Sequence, residues 1–118
     1  MAFKFERLLK VGQRSIELSG EINELTEKFQ KKELYVLTTQ IQRAPDSIAL
    51  NIAEGSAGQT NPEFRRFLGM SLWPSIEVVS CLYPAKRRKL ASQAEFDRFY
   101  QILTEMVRSI QALRNSIR

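Results

Sequence analysis

The chain has 118 residues, 18 Lys and Arg against 13 Asp and Glu, and a net charge of +5; it is 43% hydrophobic and 26% charged. That is one domain's worth of soluble globular sequence and not the composition of a disordered tail. Histidine is absent, which excludes Ser-His-Asp and Cys-His nucleophile systems, mixed His/Cys zinc sites and His-containing di-iron bundle sites.

The first predicted element is a helix over about residues 4–25. Leu8, Val11, Leu18, Ile22, Leu25 and Phe29 keep a three-and-four spacing, with Ser15 filling the remaining slot. That spacing puts one apolar stripe on one side of a helix. Gly12 and Gly20 weaken it and offer a neighbour close approach. The second helix is predicted over about 31–55, with Leu34, Leu37, Ile41, Ala44 and Ile48 on the stripe and Asn51 in the next slot. Pro45 is expected to kink it, and Gly55 and Gly58 to end it. A third helix, about 62–88, opens with Asn61 as cap, Pro62 in its first position and Glu63 at its positive end. Its stripe runs Phe64, Leu68, Ser71, Ser75, Val78, Leu82, Ala85, interrupted by Pro74 and Pro84. One kinked helix is expected, or a break near Trp73. The fourth, about 93–117, begins with the capping box Ser92-Gln93-Ala94-Glu95. Phe96, Phe99, Leu103, Met106, Ile110, Leu113 and Ile117 then hold the spacing without a miss.

Four such helices with short links pack as an all-α, antiparallel up-down four-helix bundle in one domain, with proline kinks in the second and third helices. Leu9, Ile16, Tyr35, Leu50, Phe67, Leu72, Trp73, Ile76 and Val79 lie beside or off the seams. Surplus apolar surface of this kind predicts self-association, against the alternative of a wider core stripe. No run has the length and apolarity of a signal peptide or a membrane span, and the single Cys81 permits no internal disulfide. A cytoplasmic protein without a membrane partner is the expectation.

Residues 40–55, QIQRAPDSIALNIAEG, and 63–68, EFRRFL, resemble the small four-helix-bundle family encoded in intervening sequences of bacterial large-subunit ribosomal RNA genes. Members are often labelled ribosomal-protein-like, and the accessory variability proteins of diversity-generating retroelements are a distant branch. LTEKFQKKELY at residues 25–35 is similar to the family's first link. The matching positions include Gln40, Arg43, Ser47, Asn51, Glu54 and Gly55, then Glu63, Phe64, Phe67, Leu68 and Glu77. Gly12 stands where the family commonly has Trp, and Trp73-Pro74 replaces a Gly-Ser pair. The resemblance implies a family with no established enzymatic activity and a homopentameric barrel; no cofactor is expected. Through the distant branch it implies a reverse transcriptase or other nucleoprotein partner and nucleic acid.

Residues 1–83 are electrically neutral, so residues 84–118 carry the whole excess, densest at Lys86, Arg87, Arg88 and Lys89. Two readings fit that run: a solvated helix end that complements the macrodipole, or a surface for RNA or DNA phosphates. Arg65 and Arg66 would add phosphate contacts. Replacing the four clustered cations is expected to weaken binding and leave the fold intact. Arg43, Ser47, Asn51 and Glu54 form a polar line along the second helix. It reads as a hydrogen-bonded network that fixes register or oligomer geometry, or as a phosphate site built on Arg43. Glu54, Glu63 and Glu77 would be the oxygen ligands of a cation site, the weakest of these readings. Cys81 reads as a small buried apolar residue, and Trp73 as packing rather than a base-stacking platform. Aromatic residues interleaved with the basic run are sparse. The functional expectation is a non-enzymatic oligomeric bundle that binds nucleic acid or a nucleoprotein. Its rival is a structural or protein-binding module with no nucleic-acid role.

Overall fold

In the computed structural model, residues 2–57 and 60–117 are described, with side chains at 9–33, 36–57 and 60–117. The side chains of Leu8, Leu34 and Tyr35, and Gly58 altogether, lie outside the described residues. The elements are α1 (Ala2–Thr26), a 3-10 turn (Lys31–Glu33), a π-helical turn (Leu34–Thr38), α2 (Thr39–Ser56), α3 (Asn61–Arg87) and α4 (Gln93–Ser116), and no strand occurs among the described residues. α1 packs on α2, α2 on α3 and α3 on α4, and α4 returns to α1. The protein measures 45 × 25 × 18 Å, so α3, at about 1.5 Å per residue roughly 40 Å long, runs nearly its whole length.

The stripes close on one another as their spacing requires. Val11, Leu18, Ile22 and Leu25 of α1, Ile41, Ala44 and Ile48 of α2, Leu68, Val78 and Leu82 of α3, and every stripe residue of α4 are buried. Three serines occupy stripe slots at no exposure, and each is satisfied within its own helix. Ser15 donates to the Gly12 carbonyl at 2.8 Å, Ser71 to Leu68 at 2.6 Å and Ser75 to Ser71 at 3.1 Å. That back-bonding is what lets a hydroxyl sit in an apolar seam.

Several expectations are corrected. The second segment does not start as an α-helix; its first eight residues wind as the 3-10 and π turns. They feed α2 through a helical Thr38 with no side-chain cap. The cap of α3 is Thr60, not Asn61. Thr60 is extended, and its hydroxyl accepts the Glu63 amide at 3.2 Å, which puts Pro62 where no amide is needed. α3 is continuous through Pro74 and Pro84, with no break at Trp73. Gly55 does not end α2. It is buried inside the helix, where a Cβ would lie 2.9 Å from Phe67 Cβ and 3.0 Å from Phe64 Cδ1. At this position α3 comes too close to leave room for a side chain.

Gly12 and Gly20 admit no neighbour, since a Cβ at either would meet nothing within 4 Å. Alanine there loses no contact and restricts the unfolded chain. Gly12→Ala and Gly20→Ala are each expected to raise stability by about 0.5–1 kcal/mol in urea denaturation. No gain at either would mean that the outer face of α1 is covered in solution.

Candidate nucleic-acid interface

The basic run closes α3 in a tight reversal. The Lys89 amide donates to the Lys86 carbonyl at 3.0 Å and the Leu90 amide to the Ala85 carbonyl at 2.8 Å. This is the Schellman pattern, with its left-handed position filled by Lys89 at φ 61°. A glycine would take that position without the roughly 1–2 kcal/mol steric cost of a side chain. The box at Ser92 then starts α4: Ser92 Oγ accepts the Glu95 amide at 3.0 Å, and Glu95 Oε1 accepts the Ser92 amide at 2.9 Å.

The four cations of the run are not equivalent. Lys86 lies over the Phe96 ring, 4.1 Å from its centroid. Arg88 Nη1 donates to both carboxylate oxygens of the buried Glu33, each at 2.9 Å. Arg87 and Lys89 are exposed and have no carboxylate partner among the described residues. Replacing all four would therefore also remove a contact of the fold, because Arg88 ties the α1–α2 link to the end of α3.

The fold also recruits residues that the sequence reading passed over. Lys28 and Gln30, from the link after α1, join Lys86, Arg88, Lys89, Ser92, Gln93 and Glu95 around an open groove of about 730 Å³. A second groove of about 670 Å³ is lined by Tyr83, Pro84, Lys86, Arg87, Lys89 and Gln93. Lys86, Lys89 and Gln93 border both and form the ridge between them. Lys28 was legible only as a cation in the first link; it reaches the basic run because the two links lie side by side.

Lys28 pairs with Glu95. The hydrogen bond from Lys28, and then the one from the Ser92 amide, hold the Glu95 carboxyl below the ordinary carboxylate range. A depressed carboxyl contributes stability that is present above its unfolded value and is lost as pH falls through its folded value. Wild-type stability should decline across that acidic window, and Glu95→Gln should flatten this part of the profile in pH-stepped urea denaturation. An unchanged profile would show that the pair and the cap contribute nothing to folding.

The remaining candidates are placed elsewhere. Arg65 and Arg66 are exposed at the start of α3, about 30 Å along the helix from the basic run, and Arg66 covers the Phe67 ring at 5.0 Å. They do not share a patch with Lys86–Lys89. The polar line on α2 is not a closed network. Asn51 is half-buried and donates to the Ser47 carbonyl at 2.9 Å, whereas Arg43 and Glu54 point into solvent. The seam steps from Ile48 to Ile52, because a straight helix drifts off a strict three-and-four spacing. Glu63 and Glu77 stand about 20 Å apart on α3, and no acidic cluster able to hold a metal forms among the described residues. Cys81 is buried, and burial first, with Glu77 second, pushes its thiol up and keeps it protonated. Trp73 does not pack into the bundle: it is 71% exposed.

The family model described as 23S rRNA-intervening sequence protein matches residues 7–112. Among solved structures, the chain is similar to a protein of unknown function from the S23 ribosomal protein family of Bacteroides thetaiotaomicron. They share 21% identity at a TM-score of 0.83, over 92% of this chain and 98% of that one. Among curated proteins none matches. No helix, among the described residues, is long and apolar enough to cross a membrane.

Proposed function

The chain belongs to the 23S rRNA-intervening sequence protein family, and from that premise we propose that it is a non-enzymatic homo-oligomer that holds nucleic acid on the basic end of each bundle. One observation carries the reading. Four successive cations close α3, where Lys86 and Lys89 border two adjoining grooves, Arg87 lines one of them and Lys28 stands in the wall of the other. Clustered cations bind phosphate polymers by releasing their counterions. Each subunit offers few such contacts, and an assembly repeats them, so avidity supplies what one bundle lacks.

Support for assembly comes from the outer faces. Ile16 of α1, Leu50 of α2 and Met70, Trp73 and Ile76 of α3 are all exposed. Large apolar side chains left wet on three helices mark a surface that another protein covers. Five subunits is the number that the family resemblance supplies. The expected result is a light-scattering mass several times 13.6 kDa. With it, RNA and DNA should bind tightly at low salt and release steeply as salt rises. Assembly with no binding at low salt would favour a protein-only module and reduce the basic run to a solubility feature.

A further inference from the structure

We infer that the basic end takes single-stranded rather than duplex nucleic acid, with the rings of Tyr83 and Tyr100 as platforms for unpaired bases beside phosphate contacts from Lys86, Arg87 and Lys89. The inference rests on the phosphate-binding reading above and narrows its ligand. In sequence, Tyr83 and Tyr100 sit seventeen positions apart on different helices. In the fold they share one buried neighbour. Tyr83 meets the Phe96 ring edge-on at 5.0 Å, and Tyr100 lies nearly parallel to it, 5.8 Å away with 28° between the planes. Phe96 is buried and fixes both rings, while Tyr83 and Tyr100 are each about half exposed.

This arrangement is more than two surface tyrosines. Tyr83 forms a wall of the groove that Lys86, Arg87 and Lys89 also line. Lys86 over Phe96 sets an ammonium beside the aromatic set. The same ammonium lies 5.8 Å from the Tyr83 ring centroid. Positioned rings next to free cations are what a flexible strand needs, because every base has a face to stack and every phosphate a charge to place. In a duplex the bases are stacked on one another, and such a surface could use only the phosphates.

The test measures fluorescence anisotropy of labelled oligo-dT and oligo-U strands of about 20 nucleotides, and of a duplex of about 20 base pairs, at low salt. Wild type should bind the strands about tenfold or more tighter than the duplex. Tyr83→Ala with Tyr100→Ala should cost the strands about tenfold or more, leave the duplex unchanged, and so abolish the preference. Tyr83→Phe with Tyr100→Phe keeps both rings and should bind as wild type. Equal wild-type affinity for strand and duplex overturns the inference and leaves the phosphate reading standing. So does a phenylalanine pair that loses strand binding, or an alanine pair that alters the oligomer mass instead of the preference. Binding of neither strand nor duplex removes the phosphate reading, and this inference with it.

Discussion

Arg88→Gln is expected to lower stability by about 1–3 kcal/mol, more than any other single change in the basic run. Two limits bracket the figure. An exposed ion pair is worth about 0–1 kcal/mol. Removing one partner of a fully buried pair costs about 3–5 kcal/mol, because the other charge is stranded. Here Glu33 is 9% exposed and Arg88 48% exposed in their side chains, so the pair lies between the limits. The asymmetry predicts the order of the variants. Arg88→Gln leaves a buried carboxylate without its two contacts, whereas Glu33→Gln leaves an arginine that water can hydrate. Glu33→Gln should therefore cost less, and the double variant should recover part of the Arg88→Gln loss. Urea midpoints of the four proteins decide it. A loss under about 0.5 kcal/mol for Arg88→Gln would show that Glu33 is hydrated without its partner and that the two links are held together without the Arg88 contact.

The Arg88 contact also shows where sequence reading stops. Periodicity was enough to place four helices and most of their buried faces, since burial follows a three-and-four spacing that can be counted. The box at Ser92 was equally plain, because both of its bonds are local. The start of α2 was not, because Glu33 is drawn in by a residue fifty-five positions away and no local pattern records that. Gly55 misled for a related reason. In sequence it is a terminator by residue type, while in the fold its missing Cβ is space for Phe64 and Phe67. Asn51 fell into a seam slot only because a strict spacing was extended past the point where helical drift moves the seam to Ile52. At the candidate site the charge run was legible as composition. Its division into an anchored Arg88, a ring-covering Lys86 and free Arg87 and Lys89 was not. Of its neighbours, Tyr83 stands one turn before Lys86 on the same helix, whereas Lys28 is brought to the run, and Tyr100 to Phe96 beside it, by packing between elements.

Lys86→Gln, Arg87→Gln and Lys89→Gln together should then separate binding from folding, which the fourfold replacement cannot do. Arg88 stays and keeps its bonds to Glu33, so the link between α3 and α4 retains its anchor. Lys86→Gln gives up a cation over Phe96, about 0.5–1 kcal/mol at an exposed site, which a bundle of this size tolerates. Binding should suffer far more. Each phosphate contact contributes about 0.7–0.9 to the slope of log affinity against log salt, so losing three per subunit should flatten it by roughly 2–3. Near 50 mM salt that is about three orders of magnitude in affinity relative to 1 M. Strands and duplexes should lose alike, because the lost term reads phosphate and not base. The control is Arg65→Gln with Arg66→Gln, which removes two cations at the far end of the same helix. If the triple variant loses slope and the control does not, the contact surface is the reversal between α3 and α4. If the control loses slope and the triple variant keeps it, the nucleic acid lies along the start of α3, and the cations around the two grooves serve only to hold the ends of the helices in water.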